Sequence, residues 1–125
     1  MILVDTSVWI RFFANRPPYA TELERLLDLD EVIGHELIHG ELLIGDRGGP
    51  GKLSAYERLG QAGTIPHLDV VTFVLDYDLS GRGVGWIDIH LLATAVVDRL
   101  QLWTADQRFA AMATKLGVAY EVAGL

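Results

Sequence analysis

Short, wholly apolar runs alternate along this chain with longer stretches in which apolar residues recur every three or four positions. Ile2 to Val4 is one such run; it stops at Asp5-Thr6-Ser7, residue types that commonly cap helices, ahead of the apolar residues 8–13. A strand leading into a helix is predicted. Residues 15–18, with two prolines, break that helix, and residues 19–29 resume helical spacing with Leu23, Leu26 and Leu27 on one face. Val32 and Ile33 suggest a second brief strand and residues 35–45 a helix, followed by a glycine-rich loop at 46–51 expected to be the most flexible segment. Further helices are predicted at 54–60, 70–79 and, after a glycine-rich turn at 81–85, at 86–100, where Leu91, Leu92, Ala95 and Val96 line one side and Asp88 lies in the first turn. The opening motif then returns: a strand at 102–104 runs into Asp106, a helix buries Phe109, Met112, Ala113 and Leu116 and closes at Gly117, and residues 118–122 suggest a last strand.

Short buried strands separated by amphipathic helices imply an α/β protein with a central parallel sheet flanked by helices. In such sheets ligands bind beyond the carboxyl ends of the strands, so Asp5 and Asp106, each directly after a predicted strand, are expected on one edge. At 125 residues the chain has the length of one domain, expected to span 1–125. The absence of cysteine excludes a disulfide framework, thiolate metal sites and a cysteine nucleophile, and suits a reducing cytoplasm. No signal peptide and no apolar stretch long enough for a membrane span are expected.

Ten Asp and seven Glu against eight Arg and two Lys leave a net charge of -7. That balance argues against nonspecific nucleic-acid binding, with one exception: carboxylates gathered around divalent cations become part of a site for anions. Asp5, Glu41, Asp88 and Asp106 stand at helix starts or inside apolar stretches. Singly, the three Asp residues read as helix caps or first-turn acids. Glu41, among Leu37, Ile38, Leu42, Leu43 and Ile44, faces either solvent or a compensating site. Jointly they form an acid cluster that cations must neutralise; oxygen-only ligation selects Mg2+ or Mn2+, suited to hydrolysis of a phosphodiester.

VDTSVWI from Val4, GELLIG from Gly40, DIHLLATA from Asp88 and TADQRF from Thr104 together resemble the PIN-domain ribonucleases, and among them the VapC toxins of bacterial toxin-antitoxin pairs. The resemblance implies a three-layer PIN-like fold and an Mg2+-dependent endoribonuclease whose metal-binding acids fall on Asp5, Glu41, Asp88 and Asp106. It also implies supporting hydroxyls at Thr6, Ser7 and Thr104, a homodimer, a cognate VapB-type antitoxin, and an RNA substrate such as tRNA. His90 and the Leu91-Leu92 pair depart from the family's usual smaller or more apolar residues, and Glu36 is a second acid close to Glu41. Arg11, Arg82 and Arg108 are candidate phosphate contacts.

Other readings compete. His35-Glu36-Leu37-Ile38-His39 is a literal HExxH, the zinc-protease pattern, with a distant acid such as Glu57 needed as third ligand. A PIN-like module that binds RNA or protein without cutting is the non-enzymatic alternative. A receiver domain lacks its acidic doublet here, and a P-loop is excluded because Gly51-Lys52 precedes Leu53 and Asp46 occupies the first glycine position. Trp9, Trp86 and Trp103 lie within or beside apolar runs and are expected in the core.

Overall fold

The computed structural model describes residues 1–45 and 49–123. β1 (Ile2–Val4) is followed by α1 (Thr6–Phe13), α2 (Tyr19–Asp28), β2 (Val32–Ile33), α3 (Glu36–Gly45), α4 (Gly49–Glu57), α5 (His67–Tyr77), α6 (Trp86–Asp98), β3 (Gln101–Trp103) and α7 (Gln107–Lys115). The sheet is parallel, in the order β2-β1-β3, with Leu3 opposite Ile33 on one side and Leu102 on the other. β1 is central and buried along its length, which is why its sequence is a continuous apolar run rather than an alternating one. Isolated parallel bridges, Gly34 to Gln61 and Leu102 to Ala119, extend the sheet at both edges. The expected strand at 118–122 is therefore a single bridge. Tyr120 N–H donates to the Leu102 carbonyl at 2.9 Å and then the pairing stops.

α6 runs through the middle of the molecule: every residue from Ile89 to Ala95 is buried, so its burial extends well beyond the one predicted stripe. Leu91, Leu92 and Ala95 pack with β1, β3, Val8 and Phe109 in one core. The helix ends at Asp98 rather than residue 100, where Arg99 takes a left-handed conformation (φ 56°) and turns the chain into β3. α7 closes as the sequence predicts, with Gly117 at φ 75° and Val118 N–H donating to the Ala113 carbonyl at 3.0 Å.

Two further helices shift from their expected bounds. α5 starts at His67 because Pro66 lies just outside the helix, where a missing N–H leaves no hydrogen bond unmade. α4 spans Gly49–Glu57 rather than 54–60; of the expected loop, residues 46–48 lie outside the described residues and the rest is the first turn of this helix. Among the described residues no helix is long and apolar enough to cross a membrane.

Candidate active site

The carboxyl end of β1 meets that of β3 because Asp5 N–H continues the ladder, donating to the Trp103 carbonyl at 2.8 Å. Asp5 and Thr104 are thereby neighbours, although nearly the whole chain lies between them. Asp5 is 5% exposed, and its side chain does not cap α1. Its Oδ2 accepts from Ser7 Oγ at 2.7 Å and from Thr104 Oγ1 at 2.8 Å. Ser7 Oγ in turn accepts from Ala105 N–H at 3.0 Å, and Thr104 Oγ1 from Asp106 N–H at 3.1 Å. Both hydroxyl hydrogens are thus committed to Asp5, and both hydroxyl oxygens hold the turn that leads into α7.

The remaining acids arrive from three helices. Glu41, on α3, accepts from Thr6 Oγ1 at 2.7 Å, and this contact across 35 residues joins α3 to the start of α1. Asp106 caps α7, its Oδ1 accepting from Phe109 N–H at 2.9 Å, so the helix-cap reading holds for it and fails for Asp5. Asp88 sits half-buried in the first turn of α6, whose cap is Gly85. Its carboxyl is pushed up from 3.8 to about 7, chiefly by burial and then by the negative charges of Asp5, Glu41 and Asp106. Four acids far apart in sequence therefore share one electrostatic field.

The donors suit a hard divalent cation. Among the described residues, Asp5, Glu41 and Asp106 each have one carboxylate oxygen anchored by a hydroxyl or amide hydrogen bond and the other without a protein partner, while Asp88 has no side-chain hydrogen bond. All four groups are oxygen donors. No three His, Asp or Glu groups among the described residues lie close enough to enclose a single ion, so the acids share a field without forming a closed ligand set.

Glu36, the competing acid, is exposed on the far side of α3 beside His39, Glu57 and Gln61. The HExxH reading is overturned. α3 begins at Glu36, and His35, just before it, turns its ring into the core toward Thr94 while His39 turns outward to Glu57, so the two rings do not converge. His35 is fully buried: its Nδ1 accepts from Leu37 N–H at 3.0 Å, Nε2 faces Thr94 Oγ1 at 3.4 Å, and burial lowers its pKa, keeping it neutral. His39 instead meets Glu57 at 3.0 Å and stacks on Tyr56.

Trp9 and Trp103 are core residues as expected, but Trp86 is not. It is 43% exposed at the start of α6, packed edge-on to His90 and against His67. His90 fits the helix centre at the cost of a buried Nδ1 that has no hydrogen-bond partner among the described residues. Of the candidate phosphate contacts, Arg11 donates to the Ser7 carbonyl at 2.8 Å, while Arg82 and Arg108 face a separate pocket. Sequence reasoning missed Tyr56, whose hydroxyl accepts from His35 N–H at 2.8 Å and fixes the turn from β2 into α3; a tyrosine in a polar helix carries no signal of that.

A family model described as PIN domain matches residues 2–115. Ribonuclease VapC32 of Mycobacterium tuberculosis, from strains CDC 1551 / Oshkosh and ATCC 25618 / H37Rv, is 37% identical over 121 residues, 95% of this chain and 95% of its own length. The crystal structure of PAE2754 from Pyrobaculum aerophilum superposes with a TM-score of 0.54 over 93% of this chain and 94% of that one, and at 17% identity it shows a shared fold.

Proposed function

The chain belongs to the PIN-domain family, and from that premise we propose that it is a metal-dependent endoribonuclease, the toxin of a toxin-antitoxin pair. Its substrate is RNA, in particular structured RNA such as tRNA. The near full-length likeness to proteins named ribonuclease supports the activity. The observation that carries the reading is the disposition of the acids: three positioned through one oxygen and open at the other, and close enough to the fourth to add to the burial that raises it to about 7.

Asp5, Glu41, Asp88 and Asp106 are the residues that hold the cation, Mg2+ or Mn2+. When bound, it supplies positive charge to the scissile phosphate and makes the attacking water more acidic. The protein's part is orientation. Ser7 and Thr104 fix the Asp5 carboxylate, Thr6 fixes Glu41, and the start of α7 fixes Asp106, so that each keeps one oxygen open to a cation, around which the acids would draw together. Asp88, which no hydrogen bond anchors among the described residues and which titrates near neutrality, is the member whose charge follows the occupancy of the site. In keeping with the resemblance to VapC toxins, the single domain over 1–125 works as a cytoplasmic homodimer restrained by a VapB-type antitoxin, with no membrane attachment.

The test is cleavage of end-labelled cellular RNA by the purified protein with Mg2+, with chelator, and by Asp88→Asn alongside. Discrete cuts that chelator and the variant both abolish are expected. A folded protein free of antitoxin that cuts nothing in Mg2+ or Mn2+ overturns the nuclease reading in favour of a PIN-like module that only binds.

A further inference from the structure

A second polar feature lies next to the acids and carries the opposite charge. The side chains of Leu79, Arg82, Arg108, Ala111, Met112 and Lys115 line a pocket of about 270 Å³. Three of the ten basic residues of a chain with net charge -7 therefore gather in one place. Arg108, Ala111, Met112 and Lys115 follow one another at helical spacing, a stripe about 10 Å long down one face of α7. The fourth wall comes from the loop between α5 and α6. There Arg108 lies against Gly83, so closely that a Cβ on that glycine would come within 2.6 Å of Nη1. Arg82 Nε donates to the Asp78 carbonyl at 3.2 Å, and its Nη2 stands 3.8 Å from the exposed Asp78 carboxylate, a weak partner. Among the described residues, Arg108 and Lys115 have no carboxylate within salt-bridge distance.

The position of the pocket matters as much as its charge. Asp106 caps α7 two residues before Arg108, and the loop against which Arg108 lies runs into the first turn of α6, where Asp88 sits. The pocket is thus built on α7, which Asp106 caps, and on the loop that leads into the helix carrying Asp88. The apolar floor of Leu79 and Met112 offers no donors or acceptors that select a base.

We propose that this pocket is a subsite for the RNA backbone, taking phosphates that flank the scissile one through Arg82, Arg108 and Lys115. The inference rests on the nuclease reading for the direction of the strand. Its logic is that an acidic protein whose site repels RNA needs a local cationic track to hold substrate in place. The contacts are to phosphate and so add affinity and register without reading sequence.

The test is binding of a labelled, mixed-sequence single-stranded RNA in chelator, followed by fluorescence anisotropy between about 50 and 200 mM salt. Arg82→Gln, Arg108→Gln and Lys115→Gln are compared with the parent and with Arg58→Gln, which makes the same charge change at an exposed position outside the pocket. Each pocket variant is expected to weaken binding about fivefold and to lower the slope of log Kd on log salt by about 0.7, with Arg58→Gln unchanged. In Mg2+, the KM for the same RNA should rise while hydrolysis of a dinucleotide, which reaches only the acids, stays at the parent rate. Pocket variants that bind RNA with the parent affinity and salt slope overturn the inference, as would loss of affinity only for an acidic segment of a partner protein. If the parent cuts no RNA yet the binding pattern holds, the nuclease reading fails and the backbone subsite stands.

Discussion

Replacing Asp88 with asparagine should make the metal-free protein more stable while removing its activity. Asp88 titrates at about 7 in the folded chain against 3.8 for the unperturbed carboxyl. The folded state therefore holds the proton more tightly than the unfolded state, and the charged carboxylate opposes folding. A gap of about three pH units between the two states sets a ceiling of about 4 kcal/mol, at about 1.36 kcal/mol for each. The side chain is only half-buried and water screens part of the repulsion, so a gain of roughly 1–3 kcal/mol is expected, several degrees in Tm for a domain of this size. The sign fixes the pH dependence. Below about pH 4 the carboxyl is protonated in the folded and the unfolded parent alike and the variant gains nothing; the gain grows between about pH 4 and 7 and is complete above it. Thermal unfolding of both proteins in chelator, followed by circular dichroism across that range, measures the difference. Adding Mg2+ should then stabilise the parent and leave the variant nearly where it was. A variant no more stable than the parent at about pH 8, or an offset that is the same at pH 4 and pH 8, refutes the claim that burial and the other three acids destabilise the Asp88 carboxylate.

Further outcomes follow from the same geometry. Mg2+ uptake at pH 7 should release about half a proton from Asp88, and almost none at pH 8.5, read by calorimetry in buffers of different ionisation enthalpy. Ser7→Ala removes a hydroxyl that serves both Asp5 and Ala105 N–H; kcat should fall with little change in RNA affinity, and stability should drop by about 1–3 kcal/mol in urea titrations. Gly83→Ala sets a side chain at φ 75° against Arg108, so a loss of about 1 kcal/mol or more is expected; an unchanged Tm contradicts the close approach. Glu22, held below the usual carboxylate range chiefly by Arg25 and also by Tyr120, lends stability above its unfolded pKa that fades as pH falls. Glu22→Gln should therefore destabilise the protein at neutral pH and flatten its acid unfolding curve.

Periodicity alone located β1, β2 and β3 and placed Asp5 and Asp106 on one edge, because a parallel strand buried on both faces leaves an unbroken apolar run with a polar residue at its end. What joins the acids was not legible. The bonds from Thr104 to Asp5 and from Thr6 to Glu41 span 99 and 35 residues, distances over which side-chain identity carries no pairing information. Residues 49–51 read as the end of a loop because they are glycine and proline, whereas they form the first turn of α4. The HExxH match misled because spacing carries no information on ring direction: His35, just before α3, is buried toward Thr94, whereas His39 meets Glu57 at the surface. Trp86 shows the limit of apolar neighbours as evidence of burial, since the first turn of a helix can leave a large ring in solvent even when the next two turns are enclosed.

The hydroxyl ties between the two strand ends also bear on how the protein is made. Asp5 is translated 99 residues ahead of Thr104, and until the later segment follows β1 has no β3 to pair with and Asp5 no Thr104 to orient it. A nascent chain that has passed residue 88 carries three of the four acids and still lacks the edge on which they gather. The paired edge around Asp5 therefore cannot form before residues 101–104 have been made, and chains truncated upstream of residue 101 lack it.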